Sequence, residues 1–325
     1  PPFCRPSSPS FVIFLDRSGA RSVQDEMTTS APSRSSLFGG IVRELRPKQW
    51  VKNVLVFAAP AALGVLNEWS SLGKTLTVFA AFCMVASGTY YWNDIMDVEQ
   101  DRQHPKKRNR PIASGAVPLS MARVIGSVLL ISGPALGYVV RPAAGGIIAL
   151  YAGLTIGYST WWKHIPLLDL SLVASGFVLR AMVGAAATQT PMSMWFVLCI
   201  TFGSFFIVTG KRFAELLELG EQAAVTRTSL KSYSLVYLRQ LLVVSCTATV
   251  VTYCMWAFEN AAIANETIPF HGLSIVPMVL ALLRYLLVLE NGGGGAPEEV
   301  FFNDRWIQAY GAVWVVVYGL AVYAS

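Results

Sequence analysis

The densest chemistry in the chain lies in nine consecutive residues, Asn93-Asp94-Ile95-Met96-Asp97-Val98-Glu99-Gln100-Asp101. On a continuous helix, Asp94, Asp97 and Asp101 fall at i, i+3 and i+7 and share one face. Three unneutralised carboxylates this close repel, and a divalent cation among them removes the conflict. Mg²⁺ takes oxygen ligands and is commonly shared between a few carboxylates and a substrate's phosphates. Arg102, Lys106, Lys107, Arg108 and Arg110 follow at once. Acids beside bases suit a metal-bound diphosphate, with the metal on the acids and the remaining phosphate charge on the bases. Such a run is also what a solvated helix end looks like. The run follows directly on an apolar stretch, however, and ionisable groups at a membrane edge are functional by default. Asp94, Asp97 and Asp101 are thus the candidate metal ligands and catalytic residues. Asn93, Arg108 and Arg110 are candidate substrate contacts, and Arg110-Pro111 holds its charge at a restrained turn. Glu99 falls on another face and is expected to pair with a base. His104 is expected to make a polar contact rather than to ligate a metal.

The elements that carry these residues are apolar. Of 325 residues, 54% are hydrophobic and 14% charged, against about 25% charged in soluble domains. Apolar blocks close to the roughly 20 residues needed to cross a bilayer cover 50–66, 72–92, 121–140, 143–161, 167–187, 195–210, 237–258, 271–289 and 305–324. They show no period-two alternation, so helices rather than a barrel satisfy the backbone in lipid. The expected fold class is an all-α integral membrane protein of about nine helices. With the N-terminus inside, only Lys74 and Arg141 of the 25 Lys and Arg fall outside, and Arg180 falls within a span. That bias places the 93–120 loop on the cytoplasmic side of a multi-pass protein of the plasma membrane. Nothing in this pattern supports binding of nucleic acid to the net charge of +6. The five cysteines, Cys4, Cys83, Cys199, Cys246 and Cys254, lack metal-ligand or disulfide-framework spacing and read as small core residues.

Residues 1–39 read as a disordered or non-native arm before a single domain at 40–325, with Met27 a plausible start. The run Gly292–Gly295 reads as a flexible connector. A second polar stretch, 158–169, lies about 65 residues beyond the first, also after a span on the inner side. Two such stretches suggest two pseudo-equivalent halves around one cavity. Arg180, near mid-span, needs a partner because a buried guanidinium is costly. Asp169 or a substrate phosphate would serve.

The motif Asn93-Asp94-x-x-Asp97-x-x-x-Asp101, followed by Arg110-Pro111-Ile112-x-x-Gly115, resembles the first signature of the UbiA-type intramembrane prenyltransferase superfamily. The resemblance covers the chain from about residue 40 to the end. It implies nine helices around a central cavity open to the cytoplasmic side, Mg²⁺ as cofactor, and group transfer to or from a polyprenyl chain. The second signature departs from the commonest pattern. Where a second aspartate pair is usual, Tyr158-Ser159-Thr160-Trp161-Trp162-Lys163-His164-Ile165-Pro166-Leu167-Leu168-Asp169 keeps one acid and gains a lysine. This segment, with Arg46-Pro47-Lys48-Gln49-Trp50-Val51-Lys52-Asn53 and Gly210-Lys211-Arg212-Phe213-Ala214-Glu215, is similar to the actinobacterial branch that transfers phosphoribose to a lipid phosphate. The branch implies phosphoribosyl pyrophosphate as donor, decaprenyl phosphate as acceptor, membrane lipid around the protein, and a product used for cell-wall arabinan. A donor with a second phosphate calls for cations rather than more acids. Lys52, Asn53, Tyr158, Lys163, Asp169, Arg180, Lys211 and Arg212 are therefore candidate substrate contacts. An aromatic or haem polyprenyltransferase of the same superfamily is the alternative enzyme, and a transporter or lipid-binding membrane protein is the alternative of another class. A homo-oligomer is left open.

Overall fold

The computed structural model describes residues 34–219 and 228–323. Helix α1 is Arg34–Glu44, so it begins inside the last six residues of the expected N-terminal arm. Residues 1–33 of that arm, with Met27 and Cys4, lie outside the described residues. A 3₁₀ segment, Pro47–Phe57, leads into α2, Ala58–Ala62. Then follow α3 Trp69–Met96, α4 Val98–Gln103, α5 Leu119–Val140, α6 Pro142–Thr160, α7 Leu168–Thr188 and α8 Met194–Leu219. The chain continues with α9 Leu235–Ala264, α10 Phe270–Leu273, α11 Ile275–Glu290, α12 Pro297–Asn303 and α13 Arg305–Tyr323.

Among the described residues, eight helical stretches are long and apolar enough to cross a membrane: α3, α5, α6, α7, α8, α9, α10 with α11, and α13. They match eight of the nine expected spans closely. The ninth, 50–66, is not one long helix. Its residues enter the 3₁₀ segment and α2, which lie along α7. A Cβ on Gly184 of α7 would stand 1.8 Å from the Val56 carbonyl oxygen, and Tyr318 donates to the carbonyl of Ala62 from α13. A 3₁₀ turn rises about 2.0 Å per residue against about 1.5 Å in an α-helix, so these eleven residues reach farther than their number suggests.

Three apolar cores share α7, one of them through Ala181 and Ala185 packed with Phe196, Tyr253, Trp256 and Tyr318. A second joins Phe82 and Val85 of α3, Ile148 of α6, Leu179 and Val183 of α7, and Val56 of the 3₁₀ segment. The third joins Leu170 and Ala174 of α7 to Phe206 of α8, Leu238 and Leu242 of α9, and Tyr285 and Leu289 of α11. Small residues let α3 and α5 approach closely: a Cβ on Gly133 would stand 2.8 Å from the Ala81 carbonyl oxygen, and one on Gly88 3.0 Å from that of Gly126. Backbone approach of this kind is how helices associate where lipid removes the hydrophobic drive. Outward faces are apolar and exposed, as at Val128, Ile131, Val139, Val243, Val251 and Val316. Cys83, Cys199, Cys246 and Cys254 are free thiols, the first three buried.

Candidate active site

A polar stripe runs down α3 and on through Asp97 into α4: Cys83, Ser87, Tyr90, Asp94, Asp97 and Asp101 recur at three or four residues. Its upper half anchors the 3₁₀ segment. Asn53 donates to Cys83 Sγ, and the Trp50 indole N–H donates to Ser87 Oγ. Its lower half carries the acids. The helix breaks at Asp97 (φ −92°, ψ 7°) and restarts at Val98. The bonds Asp97 N–H to the Asn93 carbonyl and Asp101 N–H to the Asp97 carbonyl carry the path across the break.

Asp94 and Asp101 are buried, 1% and 2% exposed. Arg110 donates to both, at 3.0 Å to Asp94 and 2.7 Å to Asp101. Arg46 pairs with the other Asp94 oxygen and lies over the Tyr90 ring. Lys107 Nζ stands 4.0 Å from Asp101. Asp97 is more open; Lys163 approaches it to 4.0 Å, and Asn93 Nδ2 donates to it at 3.5 Å. The structure thus brings Asn93, Asp94, Asp97, Asp101, Arg110 and Lys163 together, and the second polar stretch meets the first through Lys163. Glu99 pairs with Arg102 at 2.9 Å. His104 Nδ1 accepts from the backbone N–H groups of Lys106 and Lys107. Both roles match expectation.

Other candidates stand elsewhere. Asp169 is fully buried at the start of α7, where Ser229 and Tyr233 donate to it at 3.1 and 2.8 Å and Arg212 lies 3.6 Å away. Arg212 also donates to Glu215 at 3.0 Å. Neither touches the acid cluster in these contacts. Lys211 and Arg212 belong to α8 rather than to a loop, because the ion pairs of Arg212 let the helix run on to Leu219. Arg180 does not reach Asp169, which lies three turns away on the same helix. It donates to Asn53 at 2.7 Å, the Gly176 carbonyl at 2.6 Å and the Tyr151 hydroxyl at 3.2 Å. It also lies over the rings of Phe82, Tyr151 and Phe177, which attract a buried cation. Arg180 and Asn53 therefore satisfy each other and clamp the 3₁₀ segment to α7. Lys52 pairs with Glu298 of α12 at 3.5 Å and donates to Gln49 at 2.7 Å. Lys211 also lies near Lys52 and Glu298. Burial alone would raise the Glu298 carboxyl. Its backbone hydrogen bond, Lys52 and Gln49 hold it below its ordinary value instead. Arg108 is exposed, and Tyr158 is half-buried at the end of α6.

Four contributors were absent from the sequence-based site. Arg43, Glu44 and Arg46 line a pocket of about 460 Å³ with Asp94, Lys106, Asn109, Arg110 and Pro111, and Glu298 faces the separate Lys52 group. A signal for Arg46 exists: like Arg110, it directly precedes a proline. It adopts a left-handed conformation, φ 53°, which costs a non-glycine residue roughly 1–2 kcal/mol and recurs at functional sites. Glu44 is 1% exposed, and neither carboxylate oxygen accepts from any donor. Burial, then the neighbouring carboxyl of Asp94, push it up to about 8, against the pull of Arg46 and Arg110.

Among the described residues no three acidic, His or Cys side chains are grouped to hold an ion, and Arg110 and Lys163 neutralise the acids instead. A Mg²⁺ ion needs only one or two protein carboxylates when phosphates and water complete its shell. The orphaned oxygens of Glu44 beside Asp94 are a donor set that fits such an ion.

The chain is similar to known proteins in sequence and in fold. The UbiA prenyltransferase family pattern matches residues 54–307. The decaprenyl-phosphate phosphoribosyltransferase of Corynebacterium glutamicum is 40% identical over 93% of this chain and 91% of its own. That of Mycobacterium tuberculosis H37Rv is 37% identical over 92% and 99%. A UbiA homologue from Archaeoglobus fulgidus, solved with DMAPP and Mg²⁺, has the same fold: TM-score 0.64 at 15% identity, over 88% of this chain and 99% of that one. The chain is a multi-pass membrane protein that belongs to the UbiA prenyltransferase family.

Proposed function

We propose that this protein transfers 5-phosphoribose from phosphoribosyl pyrophosphate to decaprenyl phosphate, giving decaprenylphosphoryl-5-phosphoribose and pyrophosphate, at the cytoplasmic face of the plasma membrane. The product would serve cell-wall arabinan synthesis. The observation that carries this reading is Lys163, where the superfamily's usual second site has acids, standing 4.0 Å from Asp97. A prenyl diphosphate has no second phosphate for such a cation, whereas a phosphorylated sugar does. The long match to two decaprenyl-phosphate phosphoribosyltransferases supports the same reading.

In this mechanism Arg110, Arg46 and Lys163 face the donor's phosphates and meet the negative charge that grows on departing pyrophosphate. Mg²⁺ held by Asp94, with Asp97 and Asp101 nearby, would supply further charge neutralisation on the diphosphate. The bond from ribose carbon 1 to the pyrophosphate oxygen breaks, and its electron pair leaves with pyrophosphate. An oxygen of the acceptor phosphate supplies the pair for the new bond to carbon 1. A phosphate monoester, with a second pKa of about 6, is already mostly dianionic at neutral pH. The attack therefore needs no general base. Purified protein given radiolabelled phosphoribosyl pyrophosphate, decaprenyl phosphate and Mg²⁺ should form labelled lipid. Label in no lipid, with transfer from an allylic diphosphate instead, would overturn the reading.

A further inference from the structure

Glu44 lies outside both signature motifs, yet it is the most isolated acid near them. It is 1% exposed, its two oxygens accept no hydrogen bond, and it lines the same pocket as Asp94, Arg46 and Arg110. The carboxyl of Glu44 lies beside that of Asp94. Two neighbouring carboxylates repel, and a hard cation between them removes the conflict. Arg46 and Arg110 are already committed to the two oxygens of Asp94, and neither donates to Glu44. A carboxylate has about four lone-pair positions, so Asp94 can keep both guanidinium bonds and still offer an oxygen to a cation. Glu44 can offer either of its own. A hard divalent cation takes one or two carboxylates in this way, with waters and phosphate oxygens completing its shell.

We infer that Glu44, reaching in from α1, is a ligand of the divalent cation that Asp94 holds, so that the metal site joins α1 to α3. This rests on the reading of Asp94 as a metal ligand. Its consequence is structural as well as chemical: the cation ties the last residue of α1 to the acid end of α3, closing the pocket beside Arg43 and Lys106.

Mn²⁺ in place of Mg²⁺ tests this without turnover. Free Mn²⁺ is counted by electron paramagnetic resonance while purified full-length protein in detergent is titrated with the metal. Glu44→Gln keeps the shape and, like the protonated acid, can donate to Asp94. If Glu44 is a ligand, the variant binds Mn²⁺ about tenfold more weakly or worse, and Glu44→Asp, which keeps the charge, falls between it and wild type. If Glu44→Gln binds as wild type does, or Glu44→Asp is no better than a weakened Glu44→Gln, the inference fails. Asp94→Asn separates the two levels: loss of Mn²⁺ there with Glu44→Gln unaffected sinks Glu44 alone. Wild type that binds no Mn²⁺ sinks the reading of Asp94 and the inference together.

Discussion

Asp94 is the residue on which the site turns. It is buried, yet it holds Arg46 on one oxygen and Arg110 on the other. Arg110 has the extended backbone that a following proline favours, whereas Arg46 presents its charge from a left-handed conformation. Asp94→Asn keeps the volume but weakens both charge-assisted bonds and any metal bond. Turnover is expected to fall by about a hundredfold or more, measured as labelled lipid formed per minute; a rate near wild type would remove Asp94 from the mechanism. Lys163 is a different case, because it is half-exposed and 4.0 Å from its acid. Lys163→Ala should raise KM for phosphoribosyl pyrophosphate about tenfold, the worth of one charge-assisted contact, and leave KM for the lipid nearly unchanged. Equal rises for both substrates would make the lysine a general anchor.

At the scale of elements, the first expected span is the informative departure. Its composition reads as a short membrane helix, and nothing local specifies a 3₁₀ path. That path exists because Arg180, Cys83 and Ser87 take Asn53 and Trp50 as partners and because Gly184 leaves room for the Val56 carbonyl. Gly184→Ala puts a methyl where that oxygen lies, so the segment must shift. Overpacking of this kind costs about 1–3 kcal/mol, and the melting temperature in detergent should fall. An unchanged melt would mean that the segment is not seated on α7. Helix α12 gives a second element-scale prediction. It follows Gly292 and Gly294, both at positive φ, and its Glu298 sits on Lys52 and Gln49. If Lys52 and nearby Lys211 meet the donor's phosphate, that carboxylate competes with the substrate. Glu298→Gln should then lower donor KM a few-fold; a rise would show that Glu298 positions Lys52 rather than blocks it.

At the scale of the molecule, three apolar cores meet on α7, while most acids and bases collect at one end of the bundle. We propose, from the bias of Lys and Arg, that this end is the inner one. A sugar diphosphate carries several charges and does not cross a bilayer unaided. Sealed inside-out membrane vesicles should therefore use added phosphoribosyl pyrophosphate without detergent, and right-side-out vesicles only after permeabilisation. The opposite latency would invert the topology.

The sequence by itself determined the helical membrane class, eight spans to within a few residues except for longer C-terminal ends on α8 and α9, and the grouping of Asp94, Asp97 and Asp101 where α3 passes into α4. Those features follow from hydropathy and from a period of 3.6, which are local properties. The lysine in the second polar stretch was likewise legible as a departure in charge type. Only the tertiary structure decided which charges meet. Arg180 and Asp169 are each apt partners by type, but they lie on one helix eleven residues apart, and each found its partners on other elements. Glu44 carried no local signal at all, since an acid at the end of a short amphipathic helix looks solvated until packing buries it against Asp94. Charge pairing across 50 or 60 residues depends on how helices pack, and that is written in shape complementarity spread over the whole chain rather than in any one motif.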